Sequence, residues 1–468
     1  MPTHFREPDP KFETQIFRAY DIRGRTQDQL TPQVIYWLGR VIGDQVLASN
    51  RSPICVGADG RVSGPSLKQA LICGLRESGA DVIDTGYTAT PVVYFAAHQQ
   101  QQVNAVILTA SHNPADQNGL KLVINNAALM DDEIADLANA IQVDKLAKGA
   151  GKLIEQEYSA KYVHQLSQRF QISNGFKVVV DSANGIGGPV AQRLFDRLGV
   201  ELSSLYAEVD GRFPNHSPDP CKPENLIALQ KQVLSQKAHL GIALDGDGDR
   251  VVIIDELGQI VPADDLLMLL IKACVRPESS STVLYDVKCS SRVPKLVEQL
   301  GCAPRIGRTG HSPMKRLMQE TNAVLGGELS AHYYFSDWYG FDDGLYTAVR
   351  VLNLMNKTGL SVSQLIAELP KSYATPEIRL EVSEEQKFKF MEQLAALDFG
   401  ELSRDQTDGL RFEFEQGWGL IRASNTEGAL VMRFEATTAI ELKTLYDLFS
   451  RSLNTLDTSL SLKALDLS

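Results

Sequence analysis

One pattern of apolar runs and glycines occurs three times along the 468-residue chain, and it restricts the fold more than any other feature. Each copy has a short apolar strand, an amphipathic stretch that ends near a glycine, a second strand, and a third strand that leads into a polar loop. Glycine suits the end of a helix because it adopts the left-handed conformation without strain. The first strands are predicted at 53–57, 177–181 and 282–286, and the third strands at 105–109, 240–244 and 323–326.

This alternation of strands and helices predicts mixed or parallel sheets, whose ligand sites lie beyond the carboxyl ends of the strands. The three loops at those ends contain Ser111, Asp245 and Glu328. Many α/β proteins show a similar rhythm without an internal repeat, and the pattern alone leaves that alternative open. The polar loops are the more specific signal.

The pattern changes near residue 375. Alternating strands are predicted at 378–382, 410–414, 417–422 and 430–435, and helices at 384–397 and 440–456. Such a segment is typical of an α+β module with antiparallel strands and helices on one face. We therefore predict an α/β protein of three consecutive similar mixed α/β domains and a C-terminal α+β domain, with limits at 1–155, 156–257, 258–373 and 374–468.

Composition excludes several classes of function. The formal net charge is −12 and no basic block offsets it, which argues against nucleic-acid or anionic-membrane partners. The first 25 residues lack an apolar signal core, and the longest apolar run, at 266–271, is too short to cross a bilayer. Six cysteines without a CxxC pair predict buried or half-buried free thiols in a reducing compartment, so we expect a cytoplasmic protein.

The strongest chemical signal is the run Asp245-Gly-Asp-Gly-Asp-Arg250. Its glycines permit a tight turn that directs three carboxylates at one point, where Mg²⁺ or Ca²⁺ would bind. A calcium loop of the helix–loop–helix type is disfavoured, because Arg250 stands where that loop needs glycine. A second alternative makes Asp245 an aspartyl nucleophile, but it leaves Asp249 and Ser111 without roles.

The other motifs are ambiguous when each is considered alone. Ser111 lies in a Ser-His-Asn-Pro turn and could carry a phosphoryl group, while Lys121 could hold phosphate charge, move a proton or simply be solvated. In an extended loop Glu328, Ser330 and His332 would point to one side and suit sugar hydroxyls. Arg422 precedes short polar residues that suit a phosphate group, although a polar turn explains them equally well.

Together these motifs resemble the α-D-phosphohexomutase superfamily, and within it the bacterial branch that acts on mannose and glucose phosphates. The resemblance covers essentially the whole chain and rests on an ordered set of motifs: Tyr20 to Gly24, Thr109 to Pro114, Asp245 to Arg250, Gly310 to Ser312, Gly327 to His332, and Arg422 to Thr426. The branch assignment follows the Ser424-Asn425-Thr426 run, where phosphoglucosamine mutases usually have Ser-Gly-Thr.

The resemblance implies four domains around a deep cleft, each contributing one loop. It implies that Ser111 is a phosphoserine and, with Asp245, Asp247 and Asp249, a ligand of Mg²⁺. The further catalytic residues that it implies are Arg23, Lys121, Arg250 and His311, with Lys121 and His311 as candidates for proton transfer. The substrate-binding residues that it implies are Tyr20, Lys288, Glu328, Ser330, His332, Arg422, Ser424, Asn425 and Thr426.

The implied reaction interconverts hexose 1-phosphate and hexose 6-phosphate through a glucose or mannose 1,6-bisphosphate, which also serves as activator. The enzyme is expected to be a monomer. A phosphoglucosamine mutase, a metal-dependent sugar phosphatase and an inactive sugar-phosphate sensor remain alternatives. Two departures from the branch, Ala331 in place of a common glycine and Glu427-Gly428 in place of threonine and proline, bear on sugar preference and affinity.

Overall fold

The computed structural model describes residues 13–49, 52–140, 145–173, 175–396, 403–424, 428–457, 460 and 462. The chain divides into two compact units. The first comprises Met1–Val275 and His311–Ala367, and the second comprises Arg276–Gly310 and Glu368–Ser468.

The first unit begins with a seven-stranded mixed sheet. Its strands are β1 (Ile22–Arg25), β2 (Ile54–Ala58), β3 (Val82–Tyr87), β4 (Ala105–Leu108), β5 (Gln117–Ile124), β6 (Ala127–Ala128) and β7 (Leu153–Glu155). The order is β1-β5-β4-β2-β3-β7, with β6 beside β5. Strands β2, β3, β4 and β7 are parallel, while β5 is antiparallel to β4 and β1. All residues of β2 and β4 are buried, as central strands covered on both faces require.

Four helices accompany this sheet, α1 (Pro32–Ser49), α2 (Gly64–Ser78), α3 (Thr90–Ala97) and α4 (Asp132–Asn139). Helix α2 ends, as predicted, at a left-handed glycine, Gly79. Side chains of α1 and α2 share one apolar core with β2 and β4, so the strand that leads to Ser111 is held rigidly.

A second, four-stranded sheet of the first unit repeats the plan with β8 (Lys177–Asp181), β9 (Glu201–Leu205), β10 (Leu240–Leu244) and β11 (Val251–Ile254). The order is β11-β10-β8-β9, with only β11 antiparallel. The helices of this region are α5 (Ser159–Gln168), α6 (Gly187–Leu198) and α7 (Pro223–Gln236), and α8 (Ala263–Cys274) begins the segment that follows β11. The predicted strands at 177–181 and 240–244 agree with β8 and β10 residue for residue.

The third copy is divided between the two units. Its first part, β12 (Thr282–Asp286), α9 (Arg292–Gln299) and β13 (Ala303–Gly307), belongs to the second unit, where the two strands pair in parallel. The rest, α10 (His311–Thr321), β14 (Leu325–Gly327), β15 (Tyr333–Phe335), α11 (Gly344–Thr358) and α12 (Val362–Ala367), belongs to the first. Strands β14 and β15 form an antiparallel pair around the Glu328 loop.

The C-terminal module is an antiparallel sheet with two helices, as predicted. Its elements are β16 (Tyr373–Ala374), β17 (Ile378–Glu381), α13 (Glu384–Ala395), β18 (Ser403–Asp405), β19 (Leu410–Phe414), β20 (Gly417–Ala423), β21 (Ala429–Ala436) and α14 (Ala439–Leu456). Both helices pack on one face of the sheet, around Phe434 and Phe449. Strands β16 and β18 were not predicted, because two or three residues are too few to show alternation.

The structure also tests two predictions that were made from composition, one on the cysteines and one on the longest apolar run. All six cysteines are free thiols, but the prediction that they are buried or half-buried is wrong for Cys221, which lies exposed in the turn before α7. The run at 266–271 lies inside α8 and is buried. None of the described helices is long and apolar enough to cross a membrane.

Candidate active site

The Ser111 loop, residues 109–114, follows β4 at the carboxyl end of the first sheet. Ser111 is fully buried, and its backbone has φ +51°, in the left-handed region that residues other than glycine rarely adopt. Its Oγ donates a hydrogen bond of 2.5 Å to Oδ2 of Asp245 and lies 3.3 Å from Nδ1 of His112. The structure therefore brings the predicted phosphate carrier into direct contact with the predicted metal loop.

The aspartate loop, residues 245–250, connects β10 to β11. Asp245, Asp247 and Asp249 are fully buried, and their carboxylate oxygens lie within 4.8 Å of one another. The turn depends on glycine, because Gly248 has φ +80° and a Cβ on Gly246 would lie 2.5 Å from the carbonyl oxygen of Ser111. Glycine thus allows the aspartate loop to lie directly against the Ser111 loop.

The donor set fits a hard divalent cation. One carboxylate oxygen of Asp247 is buried with no hydrogen-bond partner among the described residues, which is costly unless a cation binds it, and the corresponding oxygen of Asp249 lies 3.4 Å from Nε2 of His332. Burial and the two neighbouring carboxylates raise the pKa of Asp245 well above its ordinary value. A bound cation would offset both effects, because it favours the charged form of the carboxyl group. The three aspartates are therefore suited to Mg²⁺, which prefers oxygen ligands.

Lys121 on β5 lies among these carboxylates and is almost fully buried, which excludes the solvated alternative. Its Nζ is 2.7 Å from Oδ2 of Asp247 and also donates to Asp249. Burial lowers the pKa of Lys121, but the surrounding carboxylates outweigh burial and raise it above its ordinary value. A lysine that stays charged holds phosphate charge better than it moves a proton.

Arg23 on β1 supports the Ser111 loop from another side. Its Nε donates to Asp21 at 2.6 Å and its Nη1 to the side chain of Asn113 at 2.8 Å. Asp21 is buried, which opposes ionisation, but Arg23 and His311 lower its pKa to about 2. Nε2 of His311 lies 3.8 Å from Asp21, and its ring meets that of Tyr20 edge to face at 5.4 Å.

His311 is a buried, neutral imidazole. Burial and the nearby Lys315 ammonium lower the pKa of His311 to about 4. Arg250, by contrast, remains a cation: burial lowers the pKa of its guanidinium, but Cys221 and Asp245 outweigh burial and raise it. The Nε of Arg250 is 3.9 Å from Asp245 and has no hydrogen-bond partner among the described residues, so this cation lies beside the aspartate loop.

The Glu328 loop, residues 327–332, brings its three predicted side chains together, but in a turn and not in the extended form that we predicted. The N–H of Glu328 bonds the carbonyl of His332, and the N–H of Ala331 bonds the carbonyl of Glu328. Ser330 Oγ lies 3.4 Å from Glu328 and 3.1 Å from Nδ1 of His332. The other ring nitrogen, Nε2, is 3.4 Å from Asp249, which connects this loop to the aspartate loop.

Three predicted substrate-binding residues, Lys288, Arg422 and Ser424, lie in the second unit. Lys288 follows β12 and bonds Glu377 at 3.0 Å, and Arg422 on β20 pairs with Asp408 at 3.1 Å. The Lys288 ammonium, with a smaller effect from Arg379, lowers the pKa of Glu377 to about 2. Ser424 follows Arg422, and its carbonyl accepts a hydrogen bond of 2.7 Å from the buried Lys387. Asn425 and Thr426 lie outside the described residues.

Sequence reasoning missed several residues that contact the predicted ones. Thr90 begins α3 and donates to Oδ2 of Asp247 at 2.6 Å, while Arg61 and Asp59 hold the Ser111 loop, Asp59 through a hydrogen bond from Thr109. Thr90 had no local signal, since a Thr-Pro pair at a helix start is common. Asp59-Gly60-Arg61 directly follows the buried strand β2, and that position could have marked it.

Comparison with known proteins identifies the family of the chain. The chain matches the phosphoglucomutase/phosphomannomutase family in all of its domains: α/β/α domain I at residues 14–147, domain II at 157–258, domain III at 262–373, and the C-terminal domain at 377–451. It is 42% identical to the phosphomannomutase/phosphoglucomutase of Pseudomonas aeruginosa, over 96% of this chain and 98% of that protein.

Two further proteins are similar to the chain over most of its length. The phosphoglucomutase of Neisseria gonorrhoeae is 36% identical, over 93% of this chain and 95% of that protein. The crystal structure of a phosphoglucomutase/phosphomannomutase family protein from Burkholderia thailandensis matches with a TM-score of 0.88 at 38% identity, over 95% of this chain and 98% of the other.

A four-domain architecture of three α/β domains and a C-terminal domain thus defines the class, a phosphotransferase isomerase. The chain belongs to the phosphoglucomutase/phosphomannomutase family of phosphohexomutases.

Proposed function

We propose that this phosphohexomutase interconverts hexose 1-phosphates and hexose 6-phosphates by passing a phosphoryl group through Ser111. One observation carries the proposal: the buried Oγ of Ser111 lies 2.5 Å from Asp245 in a cluster of three buried carboxylates. A hydroxyl beside a cation site is what phosphoryl transfer requires, because positioning and charge stabilisation provide most of that catalysis.

In the first step, the free hydroxyl oxygen of the sugar phosphate attacks the phosphorus of phosphoserine 111, and the bond from phosphorus to Ser111 Oγ breaks. The attacking hydroxyl gives its proton to a base and the departing Ser111 Oγ takes up a proton, so the products are a hexose 1,6-bisphosphate and a free serine. The bisphosphate then reverses its orientation, and Ser111 takes the other phosphoryl group. Arg23, Lys121 and Arg250 would stabilise the charge on the transferring group.

We propose Mg²⁺ as the cation, with Asp245, Asp247, Asp249 and Ser111 as the residues that would hold it. When bound, Mg²⁺ neutralises charge on phosphoryl oxygens and acts as a Lewis acid. Glucose or mannose 1,6-bisphosphate would act as activator by restoring phosphoserine.

The surroundings of the candidate bases favour His332 as the proton acceptor. Lys121 is held as a cation by Asp247 and Asp249, and burial with Lys315 keeps the pKa of His311 at about 4. His332 is preferred by its position, since its Nε2 lies 3.4 Å from Asp249 of the aspartate loop, within the cluster that holds Ser111. His332 therefore takes the catalytic part that the sequence suggested for Lys121 or His311.

Glu328, Ser330 and Tyr20 are proposed to bind the sugar and its hydroxyls. The non-reacting phosphate is assigned to Lys288, Arg422, Ser424, Asn425 and Thr426 of the second unit, because guanidinium, ammonium and short hydroxyl groups suit a phosphate dianion.

We further propose a monomeric cytoplasmic enzyme with domain limits at residues 155, 257 and 373, without nucleic-acid or membrane partners. Light scattering during gel filtration tests the monomer, and a dimer at micromolar protein concentration would contradict it.

A coupled assay tests the function. Purified protein is given glucose 1-phosphate, mannose 1-phosphate or glucosamine 1-phosphate with Mg²⁺ and glucose 1,6-bisphosphate, and both the isomerised sugar and inorganic phosphate are measured. We expect isomerisation of the glucose and mannose substrates with little phosphate release. Dominant phosphate release would identify a phosphatase, and a preference for glucosamine 1-phosphate would identify a phosphoglucosamine mutase.

A further inference from the structure

We propose that Arg61 is a positioning residue of the catalytic centre, and that it fixes the Ser111 loop in the conformation that presents Oγ to Asp245. The proposal rests on the proposed role of Ser111. Arg61 lies in the turn between β2 and α2, outside every motif that the sequence indicated, and it is 1% exposed.

The guanidinium of Arg61 uses all five of its N–H donors. Nε donates to Oδ2 of Asp59 at 3.0 Å. The other four bonds go to backbone carbonyl oxygens, three in the Ser111 loop, Ser111 (2.9 Å), Asn113 (2.7 Å) and Pro114 (2.6 Å), and one at the start of β5, Gln117 (2.9 Å). A single buried side chain therefore determines the path of the backbone from residue 111 to residue 117.

The carboxylate of Asp59 extends this control to the other side of Ser111. Besides Arg61, it accepts a hydrogen bond of 2.7 Å from the hydroxyl of Thr109, and that hydroxyl accepts the N–H of Ser111 at 2.8 Å. The peptide group before Ser111 is thus held through Thr109, and the one after it is held through Arg61.

This arrangement explains how Ser111 keeps its left-handed backbone. A residue other than glycine in that region costs about 1–3 kcal/mol, and it stays there only where its surroundings determine the conformation. Without Arg61 the serine can return to negative φ, which would move Oγ away from the 2.5 Å contact with Asp245. A displacement of about 1 Å at a reacting group can reduce the rate about 100-fold.

Arg61 is itself confined by the region of the second sheet. The ring of Phe213 lies 5.1 Å from the guanidinium carbon, and the backbone of Gly211 approaches so closely that a Cβ there would lie 2.5 Å from Cα of Arg61. Lysine cannot replace this residue, because an ammonium has three donors and lacks the planar fork that reaches four carbonyls at once.

The test compares Arg61→Lys and Arg61→Met with the wild type and with Arg40→Lys. Arg40 is a matched control, since it is also a buried arginine that donates to a backbone carbonyl, that of Ala147 at 2.7 Å. We expect kcat to fall about 100-fold in both Arg61 variants while KM for glucose 1-phosphate stays unchanged. Arg40→Lys should lower stability to urea and leave kcat unchanged.

A purely structural role predicts a different result. If the Arg61 variants resemble Arg40→Lys, with lower stability and the wild-type kcat, the proposal is wrong. If neither Arg61 variant folds, Thr109→Val and Thr109→Ser answer the same question, because valine keeps the shape and loses the bond to the N–H of Ser111. We then expect kcat to fall in Thr109→Val and to be retained in Thr109→Ser, and equal kcat in the two would overturn the proposal.

Mass spectrometry separates failure of this proposal from failure of the proposed function. Each protein is incubated with glucose 1,6-bisphosphate and its intact mass is measured. A wild type that never gains a phosphoryl group on Ser111 would refute the proposed function itself. If the wild type gains the phosphoryl group, and Arg61→Lys gains it equally fast with the same kcat, only the role of Arg61 is refuted.

Discussion

The Ser111 loop and the Glu328 loop of the first unit each hold a non-glycine residue in the left-handed region, Ser111 at φ +51° and Ala331 at φ +68°. The means differ. Side chains hold Ser111 on both sides, through Arg61 and Thr109. Backbone bonds hold Ala331: its N–H bonds the carbonyl of Glu328 at 3.0 Å, and its carbonyl accepts the N–H of Val251 at 3.1 Å.

The difference indicates what each strained residue contributes. At residue 111 a hydroxyl is needed, so glycine would relieve the strain and remove the chemistry. At residue 331 the side chain is a methyl group with no polar function. Backbone strain at Ser111 is therefore tied to the reaction, whereas strain at Ala331 accompanies a turn that glycine could form equally well.

The largest expected effect follows from Ser111→Ala and Ser111→Gly. Both should lose turnover by at least about 10⁴-fold, because the phosphoryl carrier is gone. Ser111→Gly should be the more stable of the two by roughly 0.5–1 kcal/mol, since it avoids the left-handed penalty at some cost in unfolded-chain entropy. The coupled assay and urea unfolding measure these quantities. A Ser111→Gly protein less stable than Ser111→Ala would contradict the account of strain.

Asp247→Asn should weaken activation by Mg²⁺ at least about 10-fold without disturbing either loop. The substitution removes one charge from the cluster but keeps an oxygen that can accept from Thr90 and Lys121, which contact Asp247 at 2.6 and 2.7 Å. Rates over a range of Mg²⁺ concentrations, with Mn²⁺ binding by electron paramagnetic resonance, measure the change. Undiminished activity in a chelator would count against the metal assignment.

The stability of the protein should depend on pH through His311, which lies beside the Asp21–Arg23 ion pair near the Ser111 loop. Burial lowers the pKa of His311 from 6.5 to about 4, so the unfolded chain takes up the proton first as pH falls. The contribution of His311 to the free energy of unfolding is therefore fully present above pH 6.5 and is lost as the pH falls to about 4.

Between pH 6.5 and about 4, titration of His311 should cost the wild type about 3 kcal/mol of its free energy of unfolding. The His311→Gln variant should not show that decrease. Urea midpoints of the two proteins at pH 7, 5.5 and 4 provide the measurement. Parallel curves for wild type and variant would show that His311 does not titrate in this range.

The smallest expected effect is at Ala331. Ala331→Gly should gain about 0.5 kcal/mol of stability and keep kcat within about 2-fold, because the turn already has the conformation that glycine prefers. Ala183→Gly is a matched control, since Ala183 has φ +48° outside the Glu328 loop. A loss of stability in Ala331→Gly, with a gain in Ala183→Gly, would show that the methyl group supports the loop.

Much of the local structure could be predicted from the sequence. Strands such as 177–181, 282–286 and 410–414 were placed residue for residue, because continuous or alternating apolar runs between glycines have few other interpretations. The conformation of the Glu328 loop could not be predicted. Alternate positions point to one side only in an extended chain, whereas backbone hydrogen bonds between Glu328 and His332 and between Ala331 and Glu328 close this segment into a turn. The apolar runs on either side predict the two strands but not the turn between them.

Other features depend on contacts between distant parts of the chain. Thr90 reaches Asp247 across 157 positions and Arg61 reaches the Ser111 loop across 50. An isolated threonine at a helix start, or an arginine in a turn, looks like many others. The division of the third copy between two units is likewise absent from the local pattern, which is the same in all three copies.

By itself the sequence determined the chemistry that is available: a serine and three aspartates in loops after apolar strands, a carboxylate and imidazole in a third loop, and the family to which the ordered motifs belong. Local composition suffices for this because strand ends, glycine turns and acidic runs are short-range features. Only the tertiary structure decided that Ser111 is buried with a left-handed backbone, that Lys121 lies among the aspartates, and that Arg61 holds the loop. These depend on burial and on hydrogen bonds between residues far apart in the chain, and neither exists until the sheets pack together.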